Sequence, residues 1–127
     1  MMYRQLLDCA TNGETIEVWG NPERQKDMVY VKDLCQMLYK ACFVERDEGF
    51  YNVGTGVGTS LIDQIKGMIE VFGEGKKSEL CFCPTKPNAP QYIMNIDEAI
   101  NELGYHPQYS YRDMLIDMKK ERDLDRF

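Results

Sequence analysis

Residues 51–60 read YNVGTGVGTS, a stretch with glycine at positions 54, 56 and 58. A short apolar run, 50–53, leads into the glycines, and a run with the spacing of an amphipathic helix follows them. A strand, a glycine-rich loop and a helix, in that order, form the usual phosphate site of nucleotide-binding proteins. The stretch therefore has two interpretations: a loop that holds a phosphate, or a tight turn between a strand and a helix.

The glycines fit neither of the two best-known phosphate fingerprints. The dinucleotide-binding loop requires Gly-x-Gly-x-x-Gly, and Thr59 stands where its third glycine belongs. The P-loop requires a lysine at the helix entrance, and this loop contains none. We therefore favour a tight turn whose glycines supply positive φ angles. The amides at the start of the following helix remain free, on this interpretation, to accept an anion.

The rest of the hydrophobic pattern mixes helices with strands. Strand patterns cover 15–19, 27–31, 50–53 and 79–83. Helical spacing covers 2–11, 34–41, 61–72 and 97–103, and a last helix follows Ser110. Asp33 is the expected N-cap of the helix over 34–41. Three prolines exclude regular structure from the 84–90 loop. The sequence predicts one domain, 1–127, of the α/β class, with α+β as the alternative: a small mixed sheet with about five helices.

Composition limits the partners. The net charge of −6 argues against nucleic acid or an anionic membrane surface as the main partner, and no apolar run is long enough to span a membrane. A small anionic ligand needs only two or three well-placed cations. The five cysteines show no disulfide framework, and with one histidine the Cys81–Cys83 pair is a weak metal candidate. We expect a cytoplasmic protein with reduced, mostly buried thiols.

Three longer stretches carry a family resemblance: GNPERQKDMVYVKDL (20–34), EGFYNVGTGVGTSLIDQI (48–65) and KPNAPQYIMNIDEAINELGYHPQYSYRDML (86–115). In order and spacing they resemble the C-terminal half of the NAD-dependent epimerase/dehydratase family, the extended short-chain dehydrogenases that act on nucleotide sugars. The resemblance implies a substrate-binding domain, with NAD(P) as the cofactor of the complete family enzyme.

Two motifs of that family are absent. The sequence has no Gly-x-x-Gly-x-x-Gly cofactor loop, and none of its eight tyrosines is followed by lysine four positions later. We therefore expect a nucleotide-sugar-binding part without catalytic, cofactor-binding or metal-binding residues of its own, inert alone. Its expected partners are a nucleotide sugar, bound weakly, and either a separate N-terminal Rossmann half or a second copy. The alternative is a stand-alone, non-catalytic binding or protein-interaction module.

The resemblance also implies four substrate-binding residues. Lys26 and Lys86 stand where the family has arginines that clamp the diphosphate, Arg24 is close enough to assist, and Tyr92 is placed on the nucleotide side. Lysine supplies charge without the planar fork of arginine, so the predicted binding is weak. The alternatives are a solvated turn for residues 24–26 and a core position for Tyr92. Trp19 is expected in the core or at an interface with the N-terminal half.

Overall fold

The computed structural model describes residues 2–45 and 48–126. Along these ranges the elements are α1 (Tyr3–Asn12), β1 (Ile16–Trp19), β2 (Gln25–Asp27), α2 (Val31–Ala41), β3 (Gly58–Ser60), α3 (Leu61–Phe72), β4 (Leu80–Cys83), α4 (Asp97–Leu103) and α5 (Tyr111–Asp123). Five helices with short strands of mixed direction confirm the predicted class.

Helix ends follow local chemistry, as the sequence predicts. The Ser60 hydroxyl accepts the backbone amide of Asp63 at 3.1 Å and so caps α3. Ser110 and Asp113 form a reciprocal capping box at the start of α5. Gly104 ends α4 in the left-handed region, at φ 61°, where an L side chain would be strained.

The strands form two small pairs. β1 and β4 are parallel, with Ile16 opposite Leu80 and Trp19 opposite Cys83. β2 and β3 are antiparallel, and Tyr92 adds a parallel bridge to Lys26 on the other side of β2. The second pair therefore brings the end of the proline-rich loop beside β2 and the end of the glycine loop.

The predicted strand over 27–31 is wrong in its position. β2 occupies Gln25–Asp27, and α2 begins at Val31 after Tyr30 in the N-cap position. Asp33 is therefore not the N-cap but lies in the first turn of α2, with 1% of its surface exposed. Its carboxylate accepts the backbone amides of Gln108 and Tyr109, at 2.8 and 3.1 Å. These loop amides lack a strand or helix partner, and the buried carboxylate satisfies them.

The predicted strand over 50–53 is also wrong. Among the described residues these four positions have no strand partner, and the strand nearby is β3, five residues further on. An apolar pattern can indicate an extended segment, but strand structure also requires a neighbouring backbone for its hydrogen bonds.

Two groups of buried side chains hold the elements together. The larger joins α1, β1, α3 and α5 around Ile16, Ile65, Phe72 and Leu115. The smaller joins α2 and α4 around Met37, Ala99 and Tyr105. The Tyr105 hydroxyl donates to the Gly54 carbonyl at 2.8 Å and so ties the smaller group to the glycine loop.

The thiols are more exposed than the sequence predicts. Cys35, Cys42 and Cys81 are exposed, and Cys9 and Cys83 are half-buried. Cys35 and Cys42 lie at apolar positions of the α2 region that are exposed. Helical spacing identifies such apolar positions, but it does not tell whether another element packs against them. Over 2–45 and 48–126, no helix is long and apolar enough to cross a membrane and no cluster of three metal-ligating side chains occurs.

Candidate functional site

The glycine loop holds a carboxylate of the chain itself. The Asp27 side chain accepts the Thr55 amide at 2.8 and 3.0 Å, the Thr55 hydroxyl at 2.6 Å and the Gly56 amide at 2.9 Å. The Met94 amide adds a longer bond of 3.3 Å. Asp27 is 6% exposed. Amides that converge in this way bind anions, and here the anion is internal.

The spacing of the glycines follows from this arrangement. Gly56 has φ +73°, the left-handed region that glycine adopts without strain. A Cβ on Gly54 would lie 2.5 Å from an Asp27 carboxylate oxygen, and one on Gly58 would lie 2.6 Å from the Gln25 side-chain oxygen. Gly54 and Gly58 thus allow close approach rather than positive φ. The glycines form a turn, as the tight-turn interpretation expects, but with one positive φ among the three instead of three and without the strand expected before it.

Lys26 lies on the opposite face of β2 from Asp27, because side chains alternate along a strand. Its Nζ is 5.6 Å from the centroid of the Tyr92 ring, a cation–π distance. Tyr92 is 42% exposed, so it is not a core residue. Arg24 and Lys26 are both half-buried, which differs from the solvated-turn alternative.

Three of the four predicted substrate-binding residues line one cavity. A space of about 220 Å³ is bounded by Tyr3, Leu6, Arg24, Lys26, Met28, Leu61, Gln64, Ala89 and Tyr92. Its wall is apolar toward α1 and α3 and cationic toward β2. Cations of this kind bind a diphosphate, and an apolar wall beside them suits the organic group attached to it.

The fourth residue, Lys86, lies on Trp19 instead. Its Nζ is 5.0 Å from the centroid of the Trp19 ring. The Trp19 carbonyl accepts a hydrogen bond from the Arg24 guanidinium at 3.1 Å. Trp19 therefore contacts two of the three predicted cations. Sequence reasoning missed it as a site residue, although its place at the end of β1, one position before Gly20, was a usable signal.

The cations of this site have no carboxylate partner within the part of the chain that the structure describes. Among the described residues, Arg24, Lys26 and Lys86 take part in no ion pair, whereas Lys32 and Lys119 do, at 3.2 Å from Glu121 and 3.1 Å from Glu74. On a chain of net charge −6, three neighbouring cations without a carboxylate partner create a local positive field.

A larger cavity lies between α3 and α5 and includes none of the predicted residues. It has a volume of about 730 Å³. Its carboxylates are already bound within the chain: Asp63 to Ser60, Glu70 to Arg112 and Asp113 to Ser110. The cavity is lined by two cations, Lys66 and Arg112, and Arg112 forms an ion pair with Glu70. It therefore offers less free charge than the smaller cavity.

Comparisons with curated proteins find relatives, although no family model matches the chain. The chain is 30% identical over 112 residues to the low-salt glycan biosynthesis protein Agl12 of Haloferax volcanii. It is 32% identical over 104 residues to dTDP-4-dehydro-6-deoxyglucose reductase of Escherichia coli and 31% over 98 residues to UDP-glucose 4-epimerase 3 of Oryza sativa. These alignments cover 87%, 80% and 72% of this chain but only 36%, 32% and 26% of the relatives.

Solved structures agree with these relatives. UDP-glucose 4-epimerase of Thermotoga maritima, solved with UDP-glucose, matches 94% of this chain with a TM-score of 0.74 and 25% identity. UDP-glucuronic acid 4-epimerase of Bacillus cereus, solved with NAD and a fluorinated sugar nucleotide, matches 98% with a TM-score of 0.79. At 21% sequence identity, this second match shows only that the two proteins share a fold. The chain spans 38% and 40% of these two structures.

Proposed function

The chain is a relative of the NAD-dependent nucleotide-sugar epimerases and dehydratases, and we propose that it forms the nucleotide-sugar-binding part of such an enzyme. One observation carries the proposal: Arg24, Lys26 and Lys86 lie around Trp19 and the cavity beside Tyr92, without carboxylate partners among residues 2–45 and 48–126. A diphosphate carries about two negative charges at neutral pH and takes charge-assisted hydrogen bonds from such cations.

The binding is weak in the chain alone. An ammonium–phosphate contact at a half-exposed site contributes roughly 1 kcal/mol, and more where water is excluded. Two or three such contacts, with stacking of the base or ribose on an aromatic side chain, correspond to affinities in the millimolar to high-micromolar range. Added salt weakens them further, because the cations are exposed to screening.

The residues of this chain do not fit NAD(P). The glycine loop is the one stretch that resembles a cofactor loop, and its amides are engaged by Asp27. We therefore expect the cofactor to be held by residues outside this chain, and we assign no hydride-transfer step to the residues described. Alone, the chain is expected to be inert.

A second candidate function, a protein-interaction module, is favoured by the outer face of α2. Val31, Cys35, Leu38 and Cys42 recur at the spacing of one helix face, and all are exposed. Tyr39 and Phe43 lie beside them, 68% and 69% exposed. We call these six residues the α2 face. Contiguous exposed apolar surface of this kind marks an interaction site.

The two candidates are compatible if the partner is a cofactor-binding part of the same enzyme. That part corresponds to the portion of the relatives that the chain does not span. Complementation tests the combination directly: the chain is titrated with a panel of nucleotide diphosphates and nucleotide sugars, with and without the part of the Thermotoga maritima epimerase that this chain does not span. Tighter binding with the added half supports the proposal, and no binding under either condition contradicts it.

A further inference from the structure

The Trp19 ring is held in one orientation by its own strand. The indole Nε1–H donates to the Glu17 carboxylate at 2.7 Å. Glu17 and Trp19 are two positions apart in β1, so both side chains project from the same face of the β1–β4 pair. This face looks outward, because the intervening residue, Val18, is fully buried. The indole plane is therefore fixed at the surface rather than free to rotate.

The loop that carries Lys86 is fixed against the turn that follows Trp19. The Asn88 side-chain oxygen accepts the Asn21 amide at 2.6 Å. Gly20, at φ +69°, makes room for it, since a Cβ there would lie 2.2 Å from that oxygen. The Lys86 amide donates to the Cys83 carbonyl at 3.1 Å. Lys86 thus stands over the indole ring because its own backbone is docked there.

Trp19 links two cations by different chemical groups. The ring face attracts the Lys86 ammonium, and the main-chain carbonyl holds the Arg24 guanidinium. Residues 24 and 86 are distant in sequence, and Trp19 lies between them in space. Neither contact is an ion pair with a carboxylate, so the positive charges of Arg24 and Lys86 can still attract an anion.

We propose that Trp19 is the positioning residue of the diphosphate site, whose ring holds the Lys86 ammonium in place while that ammonium donates to a phosphate oxygen. The inference rests on the proposed function. An ammonium has three N–H donors, so Lys86 can donate a charge-assisted hydrogen bond to a phosphate oxygen while it stays over the ring. Because the ring holds the ammonium near the site beforehand, less side-chain freedom is lost on binding.

Trp19 is the sole tryptophan of the chain, so its fluorescence reports this event without other signals. The experiment titrates the full chain with uridine diphosphate, follows tryptophan emission, and records amide chemical shifts of residues 24–26 in parallel. In the wild type we expect the emission to change and saturate at the same concentration as the shifts. Lys86→Met, which keeps length and removes charge, should retain weaker shifts but lose the emission change.

Two ring variants separate positioning from folding. Trp19→Phe keeps an aromatic face and should bind uridine diphosphate about threefold more weakly, whereas Trp19→Leu should lose about tenfold. Glu17→Gln keeps an acceptor for the indole but removes a negative charge beside the site, so it should bind uridine diphosphate at least as tightly as the wild type. The positioning role is wrong if the shifts of residues 24–26 saturate while the emission stays constant and Trp19→Leu binds uridine diphosphate as the wild type does. In that case the proposed function still stands. If uridine diphosphate causes no shifts at all, both are wrong.

Discussion

Asp27 accepts two hydrogen bonds from Thr55, one from the backbone amide at 2.8 Å and one from the hydroxyl at 2.6 Å. This pair connects β2 to the glycine loop and fills the site that a phosphate would occupy in a nucleotide-binding loop. The same relationship orients the Lys26 side chain, because the neighbouring position on a strand projects to the other face. The Asp27 carboxylate therefore lies on one face of β2, bound to the glycine loop, and the Lys26 ammonium lies on the other face, near the Tyr92 ring.

Removing the Asp27 carboxylate should destabilise the fold. Asp27→Ala leaves the part-buried amides of Thr55 and Gly56 without their acceptor, which should cost about 1–3 kcal/mol. Thermal and denaturant unfolding measure the loss. Asp27→Asn, which keeps one carbonyl oxygen, should lose less.

Added formate provides a control for this interpretation. In Asp27→Ala, formate can enter the vacated space and should raise the Tm, because a ligand that binds only the folded state stabilises it. Chloride at equal ionic strength should be less effective, and wild type should not respond to formate. An Asp27→Ala protein as stable as the wild type would contradict the role of this carboxylate.

The affinity for NAD should be negligible in the isolated chain. The amides of the glycine loop are already bound to Asp27, and the sequence lacks the fingerprint glycine at Thr59. Isothermal calorimetry with NAD⁺ should show no binding in the micromolar range. Micromolar or tighter affinity would mean that the loop rearranges or that another surface holds the cofactor.

The wild-type chain should self-associate at high concentration through the α2 face. Leu38→Glu places a charge within this face and should reduce both the sedimentation-derived mass and the binding of a hydrophobic dye. Ile116→Glu on α5 is the matched control, since Ile116 is 45% exposed and is not one of the six residues of the α2 face. A wild-type chain that remains monomeric and binds no dye would argue against the interaction function.

Stability should fall between pH 10 and 12 as buried tyrosines ionise. Burial, reinforced by the charges of Asp33 and Asp27, raises the pKa of Tyr105 to about 12. Burial and the hydrogen bond to Asp117 raise the pKa of Tyr30 to about 12 as well. The unfolded chain releases these protons near pH 10, so the stabilisation is complete below about pH 10 and is lost as the pH rises toward 12.

Tyr105→Phe tests the alkaline transition. The variant loses the bond to the Gly54 carbonyl and should be about 1 kcal/mol less stable at pH 7, while its stability should fall less steeply above pH 10. Tyr39→Phe is the control, because Tyr39 is 68% exposed, and should keep the wild-type slope. An unchanged slope in Tyr105→Phe would show that other groups govern alkaline unfolding.

Helices were predictable from the sequence because their signals are local. The capping residues Ser60 and Asp63 are three positions apart, and so are Ser110 and Asp113. Each pair caps the helix that it belongs to, so the signal needs no distant residue. Strands were less predictable, since residues 50–53 have the composition of a strand but no paired backbone among the described residues. β3 has little strand composition and forms through its pairing with β2.

The site was predictable only in part, and through resemblance rather than pattern. Lys26, Arg24 and Tyr92 line one cavity, whereas Lys86 lies on Trp19, and the role of these four residues in binding a substrate stays a prediction. The role of Asp27 was missed because its partners in the glycine loop are 28 and 29 positions away. No local property distinguishes such an aspartate from a solvated one.

The most direct test of the central claim is a chemical-shift titration with uridine diphosphate on the wild type and on Lys26→Ala/Lys86→Ala. Lys77→Ala/Lys120→Ala removes the same charge from other exposed positions and is the matched control. We predict saturable shifts around residues 24–26 and 86–92 in the wild type and the control, and loss of at least about tenfold in affinity in the Lys26/Lys86 variant. Equal shifts in the Lys26/Lys86 variant, or none in the wild type, would contradict the diphosphate site.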